Sequence, residues 1–309
     1  MLRLALLAVV LAWPVAGSAQ FGARGSDGFD CFSGSGSAWL DLTACTHALQ
    51  AVHDPPTQAT LLTRRARAHV QLGSLRLAKR DLDQAISTYP FSADAQRMLG
   101  TVLSRLGDAA GAEGAFAQSL ALNPRHADTL RDRGAARLRA GRPAEAEGDL
   151  AAALALDPAD PEALAFLGFA LFAQGRYREA GERFDRCEEL RYPYVYLPFW
   201  RALAHARAGA EARGILRAAL DSLPAGEWPR PLVAAFLDPD SGAEALRRAP
   251  QARGDEASFY LAAWALSRPQ PDGAQARASA TRALRDIAAG RSPDSIEGML
   301  ARFEIERGR

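Results

Sequence analysis

Two stretches, Ala93–Pro124 (ADAQRMLGTVLSRLGDAAGAEGAFAQSLALNP) and Ala127–Pro158 (ADTLRDRGAARLRAGRPAEAEGDLAAALALDP), carry the same marks at the same places. A glycine stands eighth in each (Gly100, Gly134) and a second follows seven positions on (Gly107, Gly141). An alanine comes five positions later (Ala112, Ala146), then a large apolar residue (Phe116, Leu150) and the closing proline. Working outward, Ala66, Gly73, Ala78 and Leu82 precede them, and Gly168, Gly175, Ala180 and Phe184 follow. Pro56, Pro90, Pro124 and Pro158 fall on one 34-residue ruler. That period marks a helix–turn–helix repeat.

Each unit reads as an amphipathic helix, a Gly-containing turn, a second amphipathic helix and a proline that stops it. One hairpin cannot bury its own apolar stripe, whereas stacked hairpins bury a continuous core, with the small residue where two helices cross closely. The pattern closely resembles the tetratricopeptide repeat, in Leu99-Gly100, Leu103, Gly107, Ala112, Phe116 and Pro124, and again in Leu164, Leu167-Gly168, Leu171, Gly175, Ala180 and Phe184. The resemblance implies an all-α, right-handed superhelical solenoid with a degenerate helical C-terminal part.

The chain divides on this ruler. Residues 1–19 have a basic start at Arg3, an apolar run Leu4–Ala16 and a small-residue exit Gly17-Ser18-Ala19, and are read as a cleaved secretory signal peptide. An uncleaved anchor helix is the other reading. The run is too short for a membrane span, so none is expected in the mature chain. Cleavage before Gln20 places the protein in the periplasm. Residues 20–37 are rich in Gly and Ser, 38–56 form a capping half-repeat around a helix Trp39–Val52, 57–192 hold four repeats, and 193–309 hold degenerate repeats and a helical cap.

Cys31 and Cys45 are expected to form a disulfide that pins the N-terminal segment to the first helix. Closing a loop of thirteen intervening residues stabilises by about 3 kcal/mol in the chain-entropy picture. Cys187 is read as a buried free thiol.

If the first helix of each pair lines the concave face, as the resemblance implies, its non-core positions meet partners. They read Thr60, Thr63, Arg64 and Arg67, then Asp94, Arg97, Thr101 and Arg105, then Asp128, Arg131, Asp132 and Arg139. The Lys and Asn clamp of chaperone-tail-binding relatives is absent, since Thr63, Arg67, Met98, Asp128 and Asp132 occupy its positions. The arginines are read either as partner contacts or as a solvated face with intra-helix pairs. In the fourth repeat Phe166, Phe169 and Phe172 form an extra apolar stripe that something must cover. Two readings stand: C-terminal helices folded back over it, or the apolar floor of a peptide groove walled by Arg97, Arg105, Arg131 and Arg139.

The ruler breaks at Tyr192-Pro193. Beyond it come Tyr194, Tyr196 and Trp200, then Trp228-Pro229 before a short apolar helix, and Ala257-Ser258-Phe259-Tyr260-Leu261 opening a further repeat whose second helix is Ala274–Ala289. This arrangement is similar to the new-lipoprotein-I type of tetratricopeptide protein, outer-membrane-associated adaptors that bring peptidoglycan hydrolases and a processing protease together. This chain has no lipidation cysteine after its small-residue exit. By that resemblance it is a non-enzymatic interaction scaffold whose partners are envelope hydrolases or proteases. The alternative is a structural component of an envelope export or polysaccharide-secretion machine, and a homodimer is left open. The aromatics Tyr196, Trp200, Trp228, Phe236, Phe259, Tyr260 and Trp264 are read chiefly as a C-terminal core.

The chain of 309 residues is 48% apolar with a net charge of +1. It gives no general electrostatic reason to expect nucleic acid. No nucleophile elbow, phosphate loop, dinucleotide fingerprint or zinc-helix motif is present. The five histidines, His47, His53, His69, His126 and His205, have no pair at i,i+4. No catalytic residue, cofactor or metal site is expected, and His69 and His205 are read as packed, hydrogen-bonded rings.

Overall fold

A computed structural model describes Cys31 and residues 36–224, 227–238, 242–250, 254–267, 273–289 and 296–307. The signal-peptide reading and most of the Gly/Ser-rich segment lie outside these residues. Sixteen helices are described: α1 (Ala38–Ala51), α2 (Pro55–Gln71), α3 (Leu75–Thr88), α4 (Ala93–Arg105), α5 (Ala109–Leu122), α6 (Ala127–Arg139), α7 (Pro143–Leu156) and α8 (Pro161–Ala173), then α9 (Tyr177–Glu189), α10 (Leu197–Arg207), α11 (Arg213–Ser222), α12 (Arg230–Leu237), α13 (Gly242–Arg248), α14 (Gly254–Ser267), α15 (Gly273–Ala288) and α16 (Ile296–Arg307). No strand occurs among the described residues.

Local chemistry sets the hairpins. Side-chain oxygens of Asp54, Ser92 and Asp160 cap the starts of α2, α4 and α8, accepting from backbone N–H groups one turn in. The first helix of each repeat ends on a glycine at positive φ, between +73° and +83° at Gly73, Gly107, Gly141 and Gly175. The N–H that follows returns to the last turn, as Asp108 N does to Leu103 O at 2.9 Å. The second helix stops differently. Tyr89, Asn123 and Asp157 each precede a proline and take extended backbone, because the proline ring disfavours helical geometry in the residue before it.

The crossing glycines are where two helices meet most closely. A Cβ at Gly100 would stand 2.8 Å from Phe116, at Gly134 2.7 Å from Leu150, and at Gly168 2.5 Å from Phe184. The large apolar residue of the second helix therefore seats directly on the backbone of the first. First helices of consecutive repeats also touch one another (α2 with α4, α4 with α6, α6 with α8), so they form the inner layer and α3, α5, α7 and α9 the outer.

The fourth repeat ends as a first helix would. Arg191 stands at φ +53° in a place glycine usually takes, and Tyr192 N returns to Cys187 O at 3.0 Å. This turn, followed by Pro193, breaks the ruler and sends the chain into α10. The remaining helices curl back: α14 packs on α10, α12 and α13, and α16 reaches α8. Cys31 and Cys45 are disulfide-bonded with Cα atoms 4.8 Å apart, and together with Ala48 and Leu61 they form a small buried cluster between α1 and α2. Cys187 is free and buried, with its thiol pKa pushed up to about 12, chiefly by burial.

Candidate partner-binding face

The inner layer of α2, α4 and α6 carries the polar residues expected of a partner surface, and its geometry sorts them. Arg97 is buried to 7% exposure. Its guanidinium donates to Asp132 of α6 at 2.6 Å and to Asp94 of its own helix at 3.2 and 3.3 Å. Arg131 donates to Asp160 at 3.0 Å and to Asp132 at 3.2 and 3.3 Å, and also pairs with Asp128 at 2.9 Å and Glu162 at 3.4 Å. Burial works against charge on both arginines, yet the surrounding carboxylates win and raise both pKa values. Both arginines are thus neutralised ties between consecutive repeats.

The other four arginines differ. Arg64 donates to Cys31 O at 3.4 Å, beside the disulfide. Arg67 is exposed, and its pKa is lowered by desolvation and by the charges of Arg97 and Arg64. Arg105 is exposed at the end of α4. Arg139 is half-buried and borders a 140 Å³ cavity with Arg142, Glu113 and Phe116, between the α4–α5 turn and α6. Thr63 and Thr101 turn their hydroxyls onto the backbone one turn earlier, to Ala59 O at 2.7 Å and Arg97 O at 3.3 Å.

Phe169 and Phe172 do not floor a groove. Phe169 is 2% exposed, with ring centroids 5.1 Å from Trp200, 5.2 Å from Phe184 and 6.4 Å from Tyr194. Phe172 is 1% exposed, 5.0 Å from Tyr177 and 5.5 Å from Trp200. Because the chain leaves the ruler at Arg191, Tyr194 and the first turn of α10 swing over α8 and cover the stripe. Of the two readings offered by the sequence, coverage by C-terminal helices is the one the fold adopts. Phe166 alone is half-buried, 6.3 Å from Phe169.

The same core absorbs most of the aromatics. Tyr196, Trp200, Phe236, Phe259, Tyr260 and Trp264 are buried, and Trp228 packs against them while its indole N–H donates to Tyr196 Oη at 3.0 Å. His205 pairs with Asp185 at 2.9 Å, as a hydrogen-bonded ring should, whereas the His69 ring lies 3.8 Å from Asp81, beyond hydrogen-bond distance.

Sequence reasoning missed the outer ion pairs. Arg65 grips Asp81 through two hydrogen bonds at 2.7 and 2.8 Å, and Arg133 grips Asp149 at 2.6 and 2.9 Å, the same positions two repeats apart. Arg137 joins Asp149 at 2.9 Å and Glu113 at 3.1 Å. Only the 16-residue spacing shared by Arg65/Asp81 and Arg133/Asp149 hinted at this. Among the described residues no group of His, Cys, Asp or Glu is placed to hold a metal ion, and no helix is long and apolar enough to cross a membrane.

Residues 63–127 and 137–189 each match a family profile described as tetratricopeptide repeat. Those matches fall on the hairpins whose crossing glycines and positive-φ turns are described above. The fold is a tetratricopeptide-repeat solenoid. Similar solved structures include the thermophilic tetratricopeptide protein TTC0263 of Thermus thermophilus, 24% identical, covering 57% of this chain and 94% of that one with a TM-score of 0.49. Another is pilF of Pseudomonas aeruginosa, 18% identical, covering 82% and 99% with a TM-score of 0.48. A third is YrrB, described as having an unusual peptide-binding site, 21% identical, covering 58% and 92% with a TM-score of 0.44. No curated protein matches the sequence. In the tetratricopeptide repeats of this chain, the open part of the inner layer is α2, α4 and α6, while α8 is roofed by the chain itself.

Proposed function

We propose that this chain is a non-enzymatic scaffold of the bacterial cell envelope, meeting protein partners on the inner face of its first three repeats. One observation supports this most: an inner layer of charged and hydroxylated side chains continues across α2, α4 and α6 and stops where Tyr194 and Trp200 close over α8. Tetratricopeptide solenoids are protein-interaction folds. The N-terminal residues that read as an export signal favour the periplasm as its location, and the adaptor resemblance points to association with the outer membrane and to peptidoglycan hydrolases or proteases as partners. Homodimerisation is a further expectation.

The test is crosslinking capture by the purified mature chain from a periplasmic extract, read by mass spectrometry. Soluble hydrolases or proteases should be enriched over a control solenoid. Enrichment of pore subunits instead would favour the export-machine reading, and recovery of background alone would overturn both. Turnover of cell-wall fragments by the purified protein would overturn the non-enzymatic reading.

A further inference from the structure

On the 34-residue ruler Ser104 holds the place taken elsewhere by Val70, Leu138 and Phe172, and Ala140 the place taken by Leu72, Leu106 and Gln174. Both short residues fall at one junction, where the α4–α5 hairpin meets α6, and both line the 140 Å³ cavity there. Leu138 and Phe172 are each 1% exposed, so in the third and fourth repeats this position buries an apolar side chain. Ser104 is too short to do so, and the cavity is the space left over. Its lining is graded by depth. Ala112, Phe116 and Ala136 are buried and apolar, whereas Arg139, Arg142 and Glu113 are only half-buried and stand nearer the mouth. Glu113 accepts from Arg137 at 3.1 and 3.2 Å and from Arg142, so its charge is already offset within the protein. Arg142 also pairs with Glu145 at 3.2 Å. Arg139 has an interaction of its own, but a guanidinium carries five N–H donors, and one contact leaves others for an arriving oxygen.

We propose that this cavity binds a small amphiphilic carboxylate: one ring-sized apolar group, seated on Phe116 and the alanines, with its carboxylate at Arg139 and Arg142. Two guanidinium groups beside one tied carboxylate favour an anion at the mouth, and an apolar floor favours a group that gains by leaving water. Size limits the choice. A cavity of about 150 Å³ holds a benzene ring, so 140 Å³ takes one ring or a branched alkyl group and no second ring. The bound group would occupy the place that Leu138 fills one repeat on, and so tie the second repeat to the third. This site lies between two repeats rather than on the open inner face, and it does not depend on the scaffold reading.

The experiment titrates phenylacetate into the full mature chain, read by saturation-transfer NMR, beside phenylacetamide and phenethylamine, which carry the ring with no charge and with a positive one. Phenylacetate should saturate with a Kd of about 5 mM or tighter, within reach of a ligand of about ten non-hydrogen atoms. The other two should bind about fivefold more weakly or worse. Ser104→Leu gives the second repeat the side chain that the third already has, and should weaken phenylacetate about tenfold or more, while Ser104→Ala should keep it within about twofold. Arg139→Gln should bring phenylacetate down to the level of phenylacetamide and leave phenylacetamide within about twofold. Circular dichroism checks that each variant folds, and Ala140→Leu replaces Ser104→Leu if that chain does not. The proposal is overturned if phenylacetate shows no saturable binding, if the filled variant binds it within about twofold of wild type, or if phenylacetamide or phenethylamine binds as tightly. An empty partner capture bears on the scaffold reading and leaves this site standing.

Discussion

Gly134 sits where α6 crosses α7, and the space for a side chain there is already taken by Leu150. Gly134→Leu should lower unfolding stability by about 1–3 kcal/mol or more through overpacking, read from the denaturant midpoint. Gly114, in the middle of α5, has open space around it, so Gly114→Ala should raise stability by about 0.5–1 kcal/mol through helix propensity. An equal fall for both would mean that the crossing is not what makes Gly134 special. Cysteine chemistry offers a second check at this scale. Alkylation under denaturing, non-reducing conditions should label one thiol, Cys187, with the Cys31–Cys45 bridge intact, and in the native state even Cys187 should resist because burial holds its thiol protonated. Two or more labelled cysteines in the denatured chain would contradict the bridge.

Among the elements, α8 best separates what a sequence displays from what it hides. Phe169→Ala should destabilise by about 3–5 kcal/mol, as truncation of a buried aromatic does, read from the denaturant midpoint. A stable Phe169→Ala protein would return that helix to the partner surface. The hairpins themselves were legible because a backbone crossing tolerates little besides Gly or Ala and a left-handed turn favours Gly, so Gly100, Gly107, Gly134 and Gly141 each announce a geometry. The roof over α8 was not legible. It depends on where the chain travels after Arg191, a direction set by one turn and by packing between residues far apart in sequence. The same holds for α13 and α16, which lie off the repeat ruler. It holds also for Glu304, which becomes meaningful only once α16 brings it to 3.0 Å from Arg207. At the candidate site, the residue types on the inner helices were readable. Which arginines are tied was not, since Arg97 and Arg131 reach carboxylates on a different repeat.

Among the described residues the fully buried apolar side chains fall into separate clusters. One block gathers α2, α3 and α4 around Leu62, Leu82, Met98 and Val102, and another runs from Leu138 through Trp200 to Leu300. Between them lies a small patch of Leu103, Ala112, Ala115, Phe116 and Ala136. Polar ties take over at that seam: Ser119 Oγ lies 2.8 Å from Thr129 Oγ1, Arg97 meets Asp132, and Glu113 accepts from Arg137 and Arg142. Burial pushes the Glu113 carboxyl up, but hydrogen bonds from the two arginines outweigh it and leave its pKa below the usual 4.5. A depressed carboxylate stabilises the fold above its unfolded pKa and loses that contribution as pH falls through the folded value. Wild type should therefore exceed Glu113→Gln in thermal midpoint at pH 7, with the gap closing toward pH 3; a gap that stays constant with pH would rule out this role. Leu99 packs against both the first block and the patch, so ions and hydroxyls supplement a thin apolar contact there, and the seam should yield before either block does. Stretched between its ends, the chain should open first at that joint, and the curvature its inner face offers a visitor would respond to the ionic strength around it.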